Sequence, residues 1–440
     1  MKKSLSLFFF LLLTTISHAQ QAMTFADCLE KAMDNNLDLK SAAYEEKIAV
    51  TKHLASYGKL LPNVYGELRT EDVKGFEIDD HPSHVYLPND YKEDRGTVSA
   101  DFNLFSGFKT FNSIIAARQQ EEIVRTRIER QKNEITIDLA QRFITVLYLQ
   151  DIINANDEQI KSSGKQLEIA ELKFNSGVIS ESEVFKVKSQ KALEELTLLN
   201  NQNKLSDNLV SLKQLMNMPL ETEITLIQPN LELNELLAST DNESELIKKA
   251  VELQPSYKLS VLEQKKARTE WALARGEMLP TVTLRFMYRT YYDPNLQDFY
   301  AFDTQLNETT SKQMRFYVNI PIFNGFQAQA KARAGKLRYR QTKIETQIEE
   351  NKLSKNVLKA VYDVRTSVKK KEASTIAFDF TQKSYDADLL KFQLGKININ
   401  ELNTTKINYN SAQAELIQSK YELLFNNALI RFYSGEAFVL

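Results

Sequence analysis

Two periods of hydrophobic and polar positions organise this chain. Residues 25–58 and 244–277 read as helical, and after each of them the period falls from 3.6 to 2. In Asn63–Glu71, Val64, Gly66 and Leu68 share one face, while Asn63, Tyr65, Glu67, Arg69 and Glu71 share the other. In Thr97–Leu104, Val98, Ala100, Phe102 and Leu104 oppose Thr97, Ser99, Asp101 and Asn103. Later in the chain Val282, Leu284, Phe286 and Tyr288 oppose Thr281, Thr283, Arg285 and Arg289. Met314, Phe316, Val318 and Ile320 oppose Gln313, Arg315, Tyr317 and Asn319. The alternation predicts four strands, 62–72, 96–105, 280–291 and 312–323, in two hairpins. Each is close to the roughly 9–11 residues that cross a bilayer obliquely. The intervening loops, 73–94 and 292–311, are polar.

The remainder predicts long helices. No proline occurs between residues 89 and 218 or after residue 321, and apolar residues recur every three or four positions. Val124, Ile128, Ile135, Leu139, Phe143, Val146, Leu149 and Ile153 form one such stripe, and Ile344, Ile348, Val357, Val361, Val364 and Val368 another. A narrow apolar stripe on a charged helix is a coiled-coil seam. The first helix turns back either near Ser162-Ser163-Gly164 or within Asn175–Ser180, and the matching turn lies around Gly395.

Landmarks recur at one offset of 218 residues. Leu61-Pro62 returns as Leu279-Pro280, Phe105-Ser106-Gly107-Phe108 as Phe323-Asn324-Gly325-Phe326, and Lys31-Ala32 as Lys249-Ala250. Lys173-Phe174-x-x-Gly177 returns as Lys391-Phe392-x-x-Gly395. The chain therefore reads as a tandem duplication, with repeats at 20–220 and 244–440 joined by a linker at 221–243.

Composition narrows the function. Lys plus Arg is 56 against 58 Asp plus Glu, which leaves no basic footprint for nucleic acid. One cysteine, Cys28, excludes an internal disulfide or a cysteine-rich zinc site, and four histidines leave little for metal or His-based catalysis. Ordinary loop histidines are the reading for His81 and His84, and a solvated helix face for Lys369-Lys370-Lys371. No catalytic constellation, cofactor motif or phosphate loop is found. Lys2 and Lys3, the apolar run Leu5–Leu13 and Ser17-His18-Ala19 predict an export signal over residues 1–19. No other apolar run approaches a membrane helix, which leaves a β-barrel open. Two chains would supply eight strands, whose interior nearly fills, and three would supply twelve around a lumen lined by the polar faces. The alternative is a soluble periplasmic coiled-coil structural or adaptor protein.

Over essentially the whole mature chain the sequence resembles the TolC family of outer-membrane efflux proteins. The resemblance rests on the two-fold repeat, the helix–strand–loop–strand–helix order, the Phe-x-Gly-Phe step and the duplicated Lys-Phe-x-x-Gly-x-x-x-x-x-Glu pattern. It implies a mainly α fold with a small β-barrel part: a long coiled-coil α-helical barrel, four transmembrane strands per chain, and twelve in a homotrimer. It further implies an outer-membrane location extending into the periplasm, and passive transport for efflux or type I secretion. The implied partners are a periplasmic adaptor protein, an inner-membrane pump or secretion transporter, and outer-membrane lipid. Glu183 and Glu401 become candidates for a periplasmic gate with cation preference; solvated helix-face glutamate is the competing reading. Phe174, Gly177, Phe392 and Gly395 become candidate adaptor-docking hairpins, the glycines serving a tight helix contact, a turn, or a plain helix C-cap. At Ile397 and Thr404, where the family pattern allows an arginine and a second acid, this chain has neither.

Overall fold

The computed structural model describes residues 21–78, 86–88, 90–229 and 242–440. The predicted export signal, His81, His84 and most of the predicted linker lie outside them. In chain order the elements are β1 (Gln21–Met23), α1 (Phe25–Asn35), α2 (Leu37–Tyr57), β2 (Asn63–Val73), β3 (Phe76–Ile78), β4 (Tyr86–Pro88), β5 (Tyr91–Phe105), α3 (Lys109–Asn175), α4 (Glu181–Leu215) and β6 (Ile224–Leu226). They continue with α5 (Glu243–Leu253), α6 (Pro255–Gly276), β7 (Thr281–Tyr292), α7 (Phe302–Glu308), β8 (Ser311–Asn319), α8 (Gln327–Gln393) and α9 (Ile399–Tyr433). Both ends of α3 and α4 recur 218 residues later in α8 and α9.

The chain divides into two compact units, one from the N-terminus to Ser41 with Ile128–Gln254 and Asn351–Leu440, the other Ala42–Arg127 with Pro255–Glu350. In the first, the long helices bury Leu139, Phe143, Val146 and Leu147 against Phe25, Cys28, Leu212 and Met216 of neighbouring elements. Parallel strands β1 and β6 pair at the edge of this core, and Phe25 meets Phe143 edge-on, with ring centroids 5.6 Å apart. β6 falls inside the segment read as linker.

The second unit holds one four-stranded antiparallel sheet in the order β2-β5-β7-β8. Its register aligns the two faces across all four strands. Val64, Ala100, Phe286 and Met314 form one apolar row; Phe102, Leu284 and Phe316 form another. Asn63, Asp101, Arg285 and Arg315 form a polar row, in which the Arg285 guanidinium donates to both Asp101 carboxylate oxygens at 2.6 and 2.8 Å. On the apolar face Leu68 is 91% exposed and Phe316 63% exposed within one chain. Among the described residues, strands β2 and β8 each pair on one side only.

Several boundaries differ from the sequence reading, each for a local reason. The opening helices are each interrupted once. Asn36 leaves the helical region, and its side-chain oxygen accepts from the amides of Asp38 and Leu39, ending α1 and capping α2. At the equivalent point Gln254 ends α5, and Pro255, which has no amide to donate, opens α6. α3 runs unbroken through Ser162–Gly164, so the turn is the one after Asn175. β5 starts at Tyr91 rather than 96, because the charged stretch Lys92–Arg95 continues the ladder against Arg69–Asp72. β8 stops at Asn319 rather than 323, since Pro321 offers no ladder donor. The polar loop over 292–311 contains α7, held by buried Gln305, which accepts from the Asp293 amide at 2.9 Å and donates to the Tyr300 carbonyl at 3.1 Å.

Each strand-to-helix step has the same construction. Phe108 and Phe326 take left-handed φ of 62°, and each packs edge-on with the ring three residues earlier at 5.2 Å. Left-handed backbone is costly for an aromatic residue, so both copies hold strain at one equivalent point.

The register yields a prediction. If the apolar face meets lipid, as the sequence reading expects, Leu284→Arg or Phe316→Arg costs about 2–4 kcal/mol at the bilayer midplane and lowers the heat-modifiable assembled fraction on gels. Arg285→Leu, on the opposite face, changes conductance more than assembly. Equal responses from both faces would mean a one-residue register error.

Candidate functional site

The duplicated signature lies at the two apices where α3 turns into α4 and α8 into α9. The helices end at Gly177 and Gly395, in left-handed φ of 71° and 73°. At the first apex the Gly177 amide donates to the Phe174 carbonyl at 2.8 Å and the Val178 amide to the Lys173 carbonyl at 2.8 Å. At the second, Gly395 donates to Phe392 at 3.0 Å and Lys396 to Lys391 at 2.8 Å. Both are Schellman motifs. A Cβ at either glycine meets no atom within 4 Å, which removes the tight-contact reading within the chain and leaves backbone conformation as the reason for glycine.

Three residues on, Ser180 and Asn398 start the next helices, and Glu183 and Glu401 occupy their third helical positions. At the second apex the Asn398 side-chain oxygen accepts from the amides of Asn400 and Glu401 at 2.9 and 3.1 Å, and its amide donates to the Glu401 carboxylate at 2.7 Å. Both carboxylates also sit in a first helical turn, where the helix dipole favours negative charge. Glu401 thus has a local reason to exist, one that the Asn-x-x-Glu spacing signals, whereas at the first apex Ser180 makes no side-chain cap hydrogen bond. Glu183 is half-buried and Glu401 exposed, and among the described residues neither pairs with Lys186 or Lys396.

The apices share a small core. Phe392, Ile399 and Leu402 pack with Ala170, Val184, Val187 and Tyr385, and Ile397 lies against this cluster. Lys173 of the first copy donates to the Phe392 carbonyl at 2.6 Å and lies 4.5 Å from that ring's centroid, capping the end of α8. Phe392 is therefore buried, whereas its counterpart Phe174 is exposed. Thr404 donates to the Asn400 carbonyl at 3.0 Å. Exposed Leu172, Val178, Phe185, Leu390 and Leu394 surround the apices.

Behind the apices lies a buried polar group that the sequence did not reveal. Lys406 is 2% and Glu194 5% exposed, with Nζ 2.8 Å from a carboxylate oxygen. Ser163 hydrogen-bonds both, and Gln190 donates to the carboxylate at 3.0 Å. Burial pushes the Glu194 carboxyl up, but donation from Lys406, Ser163 and Gln190 outweighs it and holds the group below the ordinary carboxylate range. The repeat breaks here: the residue 218 after Glu194 is Ala412, and Lys188, the counterpart of Lys406, pairs with exposed Glu171 instead. Among the described residues no cluster of three or more His, Cys, Asp and Glu side chains is arranged to hold a metal ion.

The family profile described as Outer membrane efflux protein matches residues 28–218 and again 246–436, spans that are themselves 218 apart. The chain belongs to that family. Similar solved structures share its fold. The outer membrane channel CmeC of Campylobacter jejuni is 15% identical with a TM-score of 0.83, covering 94% of this chain and 87% of that one. The outer membrane protein VceC of Vibrio cholerae is 14% identical with a TM-score of 0.74, covering 94% and 97%. The open-state outer membrane channel MtrE of Neisseria gonorrhoeae is 13% identical with a TM-score of 0.70, covering 93% and 88%. No curated protein matches significantly. This outer membrane efflux protein is accordingly a channel protein of the outer membrane that extends into the periplasm. Among its described residues no helix is long and apolar enough to cross a membrane.

The buried pair gives a stability test. Lys406→Met leaves an uncompensated buried carboxylate and costs about 3–5 kcal/mol, whereas the double change with Glu194→Met is close to neutral or stabilising. Because the folded pKa of Glu194 is depressed, its contribution is present above the unfolded carboxylate pKa and is lost as pH falls through the folded value. Thermal melts should show a shallower acid limb for the double variant than for the wild type. Equal slopes, or equal losses in single and double variants, would contradict this.

Proposed function

We propose that this efflux channel is the passive exit duct of a tripartite assembly for efflux or type I secretion. Three copies close a twelve-strand barrel, a periplasmic adaptor docks on the helical apices, and an inner-membrane pump or transporter delivers the cargo. Residues 1–19 act as the export signal, 20–220 and 244–440 as the two structural repeats, and 221–243 as the connection between them. The observation that carries the reading is the open-edged four-stranded sheet joined to two 67-residue helices. At 1.5 Å per residue each helix has a contour of about 100 Å. The exposed apolar side chains at the apices support docking, and the first-turn carboxylates of Glu183 and Glu401 support a charged entrance.

Cys28 makes the docking test clean. It is fully buried, and burial pushes its thiol up to about 12, so an added cysteine is the only reactive one. Val178→Cys and Leu394→Cys, in cells, should crosslink to a periplasmic adaptor, while Leu68→Cys on the sheet should not. Crosslinking that is absent at both apices, or equal at all three positions, would refute docking at this end. For the entrance, Glu183→Gln with Glu401→Gln should reduce cation preference in bilayer recordings without changing assembly. Glutamine at position 401 can still accept from the Asn398 side-chain amide, so unchanged selectivity would refute the charged entrance.

A further inference from the structure

The first turns of α8 carry charge that their repeat equivalents lack. Between residues 327 and 344 there are six lysines and arginines and no acid; residues 109–126 hold three basic residues and two acidic ones. Lys331 pairs with Glu277 and Arg338 with Glu345. Arg333, Lys336, Arg340 and Lys343 are exposed and form no ion pair among the described residues.

Two cations in this region approach one aromatic ring. Trp271 of α6, the only tryptophan in the chain, has the Arg275 guanidinium 4.5 Å and the Lys336 ammonium 6.0 Å from its ring. The two charges are therefore no farther apart than the sum of those distances. Arg275 likewise has no carboxylate partner among the described residues. Tyr339 stacks on Trp271 with an interplanar angle of 13° and centroids 6.1 Å apart. Gly335 admits this packing: a Cβ there would lie 3.2 Å from the Trp271 Cα. Two unneutralised cations held near one ring repel each other, and an anion between them would relieve that repulsion.

The site adjoins the four-stranded sheet of the same unit, and the inference rests on the proposed function, in which that sheet crosses the membrane. Arg275 precedes the first residue of β7 by six positions, and α8 begins eight residues after β8 ends. Exposed Ile320, Ile322, Phe323 and Phe326 fill that second interval and form an apolar step between strand and helix. Along α8, Arg333 lies about 9 Å and Lys336 about 14 Å from the helix start, and their side chains lean back toward it. The order from sheet to helix is apolar side chains, then a Trp/Tyr pair, then cations, which follows a bilayer leaflet from acyl chain to headgroup.

We propose that Arg275 and Lys336, over the Trp271–Tyr339 platform and supported by Arg333, bind the phosphate of an anionic phospholipid in the periplasm-facing leaflet of the outer membrane. A diester with a net negative charge fits two cations better than a zwitterionic lipid, whose own ammonium competes. The site belongs to the second repeat alone, so each chain carries one.

Trp271 is itself the probe. The purified full-chain assembly in neutral detergent is titrated with dimyristoyl-phosphatidylglycerol, dimyristoyl-phosphatidylcholine or inorganic phosphate while tryptophan emission is followed. Phosphatidylglycerol should give a saturable change that phosphatidylcholine does not. At about 1 kcal/mol per cation near a membrane surface, Arg275→Gln and Lys336→Gln should each weaken the midpoint about fivefold. Lys343→Gln, about 24 Å along the helix from its start, should leave it unchanged. Equal responses to both lipids, or midpoints unmoved by either substitution, would overturn the proposal. A response to inorganic phosphate at the same concentration as to phosphatidylglycerol would make this a free-anion site and overturn the lipid assignment.

Discussion

The backbone polar groups along β2 and β8 constrain everything else in this protein. Each strand is paired on one side only, and in hydrocarbon an unpaired amide or carbonyl costs several kcal/mol with no water to offset it. Four strands cannot close on themselves, and the proposed function satisfies the edges with strands from other copies. The order β2-β5-β7-β8 alternates in direction, so in the proposed trimer β8 of one copy would meet β2 of the next antiparallel. Closure is then possible with every rung of the ladder of one kind. In that closed sheet the aligned apolar rows would face lipid, and the row containing Asp101 and Arg285 would line a polar interior.

Duplication supplies the geometry, and divergence between the copies supplies the chemistry. Both copies use a left-handed phenylalanine to leave the sheet and a Schellman glycine to reverse the long helices. The differences lie in side chains that reach from one copy to the other. Lys173 caps the carbonyl of Phe392, while Lys391, its counterpart, turns to Asp388. Lys406 of the second copy is buried with Glu194 and Ser163 of the first. These contacts pair the two hairpins unequally at their shared core, as a strictly repeated structure could not.

Much of this architecture was legible in the sequence, and the misses have physical causes. Alternation over Val64–Leu68 or Leu284–Tyr288 reports a face directly, so the strand faces followed from period alone. A helix end depends on one residue's conformation, which period does not report, so the breaks at Asn36 and Gln254 were missed. The glutamate six residues after each glycine was noticed for its duplication, whereas the Asn398–Glu401 cap that also explains it is a matter of three-residue spacing. The ion pair of Glu194 and Lys406 is invisible in any single segment. Each residue reads as an ordinary charged helix position until α4 and α9 are brought together around Ser163.

Closure of the sheet by neighbouring copies is most directly tested by disulfide trapping between its edges. Cysteines are introduced singly along β2, for example at Tyr65, and along β8, for example at Gln313, and the variants are co-expressed in pairs and oxidised in membranes. Covalent β2–β8 links between separate chains, and a ladder ending at three when both cysteines are in one chain, are the expected result. A ladder ending at another number would contradict the twelve-strand barrel. The absence of interchain links across all pairs of positions would contradict closure itself.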